Sequence, residues 1–258
     1  MSRSILPQHK KLNVLILGAT QGIGLGFVRS LLNDERVQRL FATYRNEATA
    51  GDLFRLQDER QERLTCMRLD VTEESLFQPA FQQIRDSVDE LHFAVYCVGV
   101  LHEGSLEPEK SLRHIDSEKL LYSFHVNSVG AVLAAKYLAS LFKRETPSIF
   151  AAISARVGSI GDNRLGGWYG YRASKAALNM LIKTTAIEYK RRCPSTTVVS
   201  LHPGTTDTSL SKPFQGNVPD QQLSTVDETV RLLSEVLSKV DLKDSGEFYS
   251  WDGTKLPW

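Results

Sequence analysis

Leu12-Asn13-Val14-Leu15-Ile16-Leu17-Gly18-Ala19-Thr20-Gln21-Gly22-Ile23-Gly24 is the stretch on which the fold of this chain turns. An apolar run of strand length meets a cluster of glycines, and a helical pattern begins inside that cluster. The run 12–17 reads as a strand buried on both faces, because parallel strands covered by helices lose the polar alternation of half-exposed ones. The glycines have a physical use. Without Cβ atoms the backbone of a turn can approach a pyrophosphate, and the helix opening behind it offers free N–H groups and a positive dipole end.

Outward from this unit the same alternation repeats. Apolar runs at 40–44, 64–69, 93–97, 148–153 and 197–201, with a further one at 247–249, predict strands; helical patterns at 23–32, 48–60, 74–88, 117–142, 172–191 and 226–238 separate them. Strands alternating with helices make βαβ units, so the expectation is an α/β doubly wound parallel sheet, one domain over residues 1–258 with an N-terminal tail at 1–10. Such sheets bind ligands beyond the carboxyl ends of their strands. The least regular stretch, 211–225, holds Pro213, Gly216 and Pro219 and reads as a substrate lid or as a plain surface connection.

Composition narrows the function. The 258 residues carry 31 basic and 30 acidic side chains, a formal net charge of +1, which argues against nucleic acid or an anionic membrane as partner. The N-terminus lacks the apolar core of a signal peptide, and the apolar run 129–142, interrupted by Lys136, falls short of the roughly 20 residues a bilayer crossing needs. A cytoplasmic protein is expected. Cys66, Cys97 and Cys193 form neither a disulfide set nor a metal pair, and the histidines lie in separate segments, so no metal is expected. His102 and His114 follow the fourth strand, where a substrate contact is conceivable.

The glycine spacing is G-x-x-x-G-x-G, a variant of the G-x-G-x-x-G dinucleotide fingerprint. Choice of dinucleotide is read at the end of the second strand, where an acid would hold the 2′-hydroxyl of NAD and an arginine the 2′-phosphate of NADP. Here Tyr44-Arg45 stands in that place, which favours NADP; the alternative for Arg45 is a solvated charge. Asp70, after the third strand, is placed to accept from an adenine amino group or to cap a helix, with Thr72 an equal candidate for the cap. Tyr171 and Lys175, four apart on a helix, share a face. A phenol, pKa about 10, can protonate a developing alkoxide, and a nearby ammonium stabilises the phenolate left behind.

Gly18 to Gly24, Asp70, Asn127, Tyr171-Arg172-Ala173-Ser174-Lys175 and Pro203-Gly204 stand in the order and spacing of the short-chain dehydrogenase/reductase family, and the chain resembles it over nearly its whole length. Gly158-Ser159-Ile160-Gly161-Asp162, Tyr169-Gly170-Tyr171-Arg172 and the closing 251–258 segment are similar to the branch of C-factor signalling proteins and sniffer-type carbonyl reductases. The resemblance implies a Rossmann-type domain that reduces a carbonyl to an alcohol with NADPH. It implies that Gly18, Thr20, Gln21, Gly22, Ile23, Gly24, Arg45, Asp70, Val71, Cys97, Gly99, Pro203, Gly204, Thr206 and Thr208 border the cofactor, with the Thr208 hydroxyl at the nicotinamide carboxamide. Tyr171 would be the general acid, Lys175 would depress its pKa and hold the nicotinamide ribose, and Asn127 would anchor a relay water. A homodimer or homotetramer is expected, assembled through apolar-faced helices such as 117–142.

Two departures stand out. The family's serine before x-x-Gly is Ala155; Ser154, on the opposite face of a strand unless the chain twists, and Ser159 are the candidates to replace it. The family's Asn-Asn-Ala-Gly reads Tyr96-Cys97-Val98-Gly99, and an isolated cysteine closing a strand reads as packing. These departures leave a second expectation open, a cofactor-binding signalling or regulatory protein with weak or no catalysis. Trp168-Tyr169 either lines the substrate pocket or packs the loop.

Overall fold

The computed structural model describes residues 5–217 and 219–258; residues 1–4 of the expected tail and Val218 of the expected lid lie outside it. β1 (Leu12–Leu17), β2 (Val37–Tyr44), β3 (Leu64–Arg68), β4 (Phe93–Tyr96), β5 (Ser148–Ile153), β6 (Thr196–His202) and a last strand, Phe248–Ser250, form one sheet. Its order is β3-β2-β1-β4-β5-β6 followed by that last strand, and every pairing is parallel. Side chains alternate between two fully covered faces. Leu15, Leu17, Phe41, Ala94, Tyr96, Phe150 and Ala152 enter one apolar core, while Val14, Ile16, Leu40, Ala42, Val95, Ile149 and Ala151 enter the other. This is the doubly wound α/β architecture that the apolar runs predict.

The strand β2 begins three residues earlier than expected. Gln38 and Arg39 hide its start from a hydropathy reading, yet 37–39 already pair with β1, and only from Leu40 does β2 also pair with β3. Helix α1 (Gly22–Leu32) follows the glycine turn. The pattern at 48–60 divides into a 3₁₀ turn, Glu47–Thr49, and α2 (Gly51–Glu59), and that at 74–88 into Glu74–Leu76 and α3 (Phe77–Ser87).

The expected helix 117–142 is a correction of larger consequence. It comprises α4 (Ser117–Phe124), a π-turn over His125–Val129 and α5 (Gly130–Leu138), and it ends four residues early. Asp116 caps its start by accepting from Lys119 N at 3.0 Å. At the π-turn, Tyr96 Oη donates to Val126 O at 2.6 Å, and a Cβ on Gly130 would collide with that same hydroxyl. The buried tyrosine at the end of β4 thus ties that strand to the π-turn.

Helix α6 (Tyr169–Arg192) starts three residues before the predicted 172. Beyond β6, β7 (Thr205–Thr206) pairs in parallel with β8 (Leu223–Ser224), two short strands that the sequence does not announce. Between them the expected lid carries 3₁₀ turns, Lys212–Asn217 and Asp220–Gln222. Then come α7 (Val226–Leu237) and the edge strand, β9 (Phe248–Ser250). Among the described residues no helix is long and apolar enough to cross a membrane.

Candidate active site

A cleft of about 750 Å³ lies across the carboxyl ends of the central strands, within the size range of small-molecule and cofactor sites. The turn after β1 forms its floor. Gly18 has φ +81°, and a side chain there would press on Val98; a Cβ on Gly24 would strike Gly18 O. Gly18 N donates to Thr43 Oγ1 at 3.0 Å, which fixes the turn against β2. Gln21, the residue before α1, makes no side-chain cap, so the first N–H groups of the helix face the cleft without a side-chain partner. A chain with no side chains at its tightest approach and an uncapped helix end is a seat for a phosphate group.

The second end of the cleft is bordered by Tyr44, Arg45, Asp70 and Val71. Asp70 Oδ1 accepts from Thr72 N at 2.9 Å and Thr72 Oγ1 at 2.7 Å, so this carboxylate stabilises its own turn while lining the cleft. Arg45 is not a free charge. It pairs with Glu103, and its Nη1 donates to Tyr122 Oη at 3.0 Å. Neither partner was visible from sequence, because both are brought from distant segments, the turn after β4 and α4.

At the opposite end lie Tyr171 and Lys175. One turn of α6 apart, they put the Lys175 ammonium 5.8 Å from the centre of the Tyr171 ring. Lys175 Nζ donates to Ile153 O at 2.9 Å and is buried, which pushes its pKa down to about 8. Burial raises the Tyr171 phenol above its ordinary value, because the phenol has lost water.

Asn127 sits in the π-turn, fully buried. Its Nδ2 donates to Val100 O and to Ser174 Oγ, both at 2.9 Å, and its Oδ1 accepts from Val100 N at 2.7 Å. Ser174 Oγ in turn donates to Tyr171 O at 2.9 Å. The side-chain amide therefore ties the loop after β4 to the tyrosine helix, and since both its N–H groups are engaged, an anchor for a relay water would fall to the main chain. Ser174 is a contributor that the sequence reading passed over, although it stands inside the quoted motif.

The proton of one candidate serine is already engaged, and the other serine lies outside the cleft lining. Ser154 Oγ donates to Asn179 Oδ1 at 2.6 Å, and Ser159 Oγ accepts from Asp162 N at 3.2 Å within its own turn. Ala155, in extended backbone, borders the cleft between them. Cys97 lines the cleft as a half-buried thiol whose pKa burial drives up. Gly99, beside it, has Asn127 Oδ1 and Lys175 Nζ on its open side, within 3.5 Å of where a Cβ would stand.

The far wall is aromatic. Trp168 lies 5.0 Å from Phe214 and 6.2 Å from Tyr171, and the His102 ring lies 5.8 Å from Phe214. Trp168 lines the cleft and the adjacent Tyr169 is exposed, which divides the pair. Gly166, Gly167 and Trp168 all adopt positive φ, a conformation costly for tryptophan, and the buried Glu109 holds them: its carbonyl accepts from Trp168 N at 2.5 Å and its carboxylate from Gly170 N at 3.0 Å. His114 pairs with Ser111 instead of entering the cleft.

Pro203, Gly204, Thr206 and Thr208 close the cleft after β6. Thr206 lines the cleft while its hydroxyl pairs with Thr229 Oγ1 of α7 at 2.9 Å. Thr208 approaches the glycine turn, its Cγ2 lying 3.1 Å from the place a Cβ on Gly22 would take. Among the described residues no group of three or more histidine, cysteine, aspartate or glutamate side chains could hold a metal ion.

Comparison with known proteins agrees with this geometry. The chain superposes on an NADPH-bound carbonyl reductase from chicken fatty liver with a TM-score of 0.85 and 28% identity, covering 96% of this chain and 100% of that one. It superposes on the carbonyl reductase Sniffer of D. melanogaster with a TM-score of 0.85 and 26% identity over the same shares. The C-signal protein of Myxococcus xanthus is 29% identical over 148 residues, 57% of this chain and 84% of that protein. The sequence model of the short chain dehydrogenases matches residues 12–218, most of the chain, and the protein belongs to that family of oxidoreductases.

Proposed function

We propose that the protein reduces a carbonyl compound to an alcohol, with NADPH as the hydride donor and Tyr171 as the proton donor. The observation that carries this reading is a single cleft with an uncapped glycine turn at one place and the Tyr171–Lys175 pair, braced by Asn127 and Ser174, at another. The turn fits a dinucleotide, because its closest approaches have no room for side chains. The similarity to two carbonyl reductases, one of them bound to NADPH, supports the same reading.

Gly18, Gly22 and the N–H groups opening α1 would hold the pyrophosphate, Arg45 a 2′-phosphate, Asp70 and Val71 the adenine, and Thr208 the carboxamide. When bound, NADPH supplies the hydride. Tyr171 is protonated at neutral pH, the form reduction requires, and can give its proton to the oxygen of a carbonyl lying between it and the aromatic wall. Lys175, charged below about pH 8, stabilises the phenolate that results. Trp168, Phe214 and Leu210 exclude water and favour a flat, weakly polar substrate; the 211–225 segment, which contributes Phe214, would act as its lid. Leu121 and Val129 in the α4–α5 segment, with Met180 and Ile187 on α6, are exposed and would offer apolar surface for a homodimer.

Ala155 favours a second reading. With no hydroxyl at that point of the wall, and Ser154 bound to Asn179, the same cleft suits a cofactor-binding regulator with little turnover.

NADPH oxidation across ketones, aldehydes and quinones, with a parallel binding titration, separates the two. Turnover that disappears in Tyr171→Phe while NADPH binding persists supports the reductase. Tight binding with no turnover on any substrate favours the regulator, and absence of binding sinks both.

A further inference from the structure

The cofactor end of the cleft contains a carboxylate that no motif announces. Arg45, at the end of β2, is gripped by Glu103 through both oxygens, one of these contacts being Nη1 to Oε2 at 3.3 Å. Tyr122 completes the cluster: its hydroxyl accepts from Arg45 Nη1 at 3.0 Å and donates to Glu103 Oε2 at 2.5 Å. All three side chains border the cleft beside Tyr44, Asp70 and Val71.

The position of Glu103 is built in. Glu103 N donates to Leu106 O at 3.1 Å and Leu106 N to Glu103 O at 2.9 Å, closing a tight turn in which Gly104 has φ +57°. Leu106 is buried in the core, and Lys119 Nζ clamps Ser105 O at 2.6 Å. The turn is therefore fixed from below and from α4, and the carboxylate is presented at the cleft.

Ion pairs this exposed, at 51% for Arg45 and 42% for Glu103, add little to folding. Their effect on a ligand is another matter. A ribose with a free 2′-hydroxyl can donate to a carboxylate at this place. A 2′-phosphate brings nearly two negative charges toward the same carboxylate, and it must either share the Arg45 guanidinium with Glu103, taking the Nε–H and the second Nη2–H that Glu103 and Tyr122 leave over, or displace the carboxylate. The end of β2 thus carries the arginine that favours the phosphate, while the fold sets against it the acid that favours the hydroxyl.

We infer that Glu103 is a determinant of cofactor choice that works against a 2′-phosphate and narrows the preference which Arg45 alone would impose. The inference rests on the dinucleotide reading given above. It is tested by titrating 2′,5′-ADP, 5′-AMP, NADPH and NADH into wild-type protein and Glu103→Gln by calorimetry, which needs no turnover. The expected result is that 2′,5′-ADP and NADPH bind about tenfold more tightly to the variant, while 5′-AMP and NADH are unchanged or weaker. Unchanged 5′-AMP affinity also reports an intact site. If the 2′-phosphate ligands bind both proteins equally, or bind Glu103→Gln more weakly because Glu103 holds Arg45 in a productive pose, the inference is overturned and the dinucleotide reading stands. If none of the four binds either protein, both fall together.

Discussion

Ser154 Oγ donates to Asn179 Oδ1 at 2.6 Å, and this bond holds the hydroxyl at the end of β5 against α6, with Ala155 next to it at the edge of the cleft. The backbone at Ala155 is extended, with φ −149° and ψ 144°, so a serine fits there without strain. Ala155→Ser should raise kcat for carbonyl reduction by about a hundredfold, in line with the worth of one donor at a developing oxyanion. Ser154→Ala should leave kcat in place and lower stability by about 1–3 kcal/mol, since it strands a buried amide oxygen. Steady-state kinetics and denaturant titration of the two variants check this; a collapse of turnover in Ser154→Ala would make Ser154 the donor.

The ammonium of Lys175 sets an alkaline limit. Its pKa is pushed down to about 8 by burial, so its charge is complete well below that pH and disappears above it. The rate of reduction should be flat on the acid side and fall through about pH 8 with the loss of one proton. Stability moves in the opposite direction, because between about 8 and 10.5 the unfolded chain binds the proton that the folded chain has released. A pH series of kcat/KM alongside unfolding curves tests both signs.

Around Gly130 a side chain has no room, because the Tyr96 hydroxyl and the Val71 side chain both stand there. Gly130→Ala should destabilise the protein by about 1–3 kcal/mol through overpacking and reduce activity by shifting Asn127 in the adjoining π-turn. Tyr96→Phe should cost about 1 kcal/mol, the worth of its bond to Val126 O. If Gly130→Ala is as stable and active as wild type, the turn does not depend on that contact.

Removing the Arg45 guanidinium should weaken NADPH about tenfold or more while changing NADH affinity little. Equal weakening of both in Arg45→Ala, measured by fluorescence titration, would remove Arg45 from the 2′-phosphate.

Much of this site was legible because its signals are local. The glycines after β1, the Tyr171–Lys175 spacing and the apolar runs of β1, β4 and β5 each state their structure within a few residues. What escaped depends on contacts between distant parts of the chain. Nothing between 117 and 142 says that the helix changes pitch, and the contact made at that point comes from Tyr96 on another element. Thr206 looks like a cleft hydroxyl until α7 is placed behind it. Glu103 is an ordinary acidic residue in a loop, and only the fold sets it against Arg45. The helix spacing likewise gives the distance from Tyr171 to Lys175 but not the burial of both.

The π-turn at His125–Val129 changes how the long helix can be altered. Gly130 N bonds back to His125 O, so this turn encloses one residue more than an α-helical turn would. Geometrically it is equivalent to an ordinary helix with one residue inserted. Deleting one residue there would restore regular bonding and leave α5 nearly in its present phase, yet it would carry Asn127 away from Val100 and Ser174. Regular helical bonding and the bracing of the tyrosine end of the cleft by Asn127 therefore call for different helix lengths at this point, and the chain has the longer one.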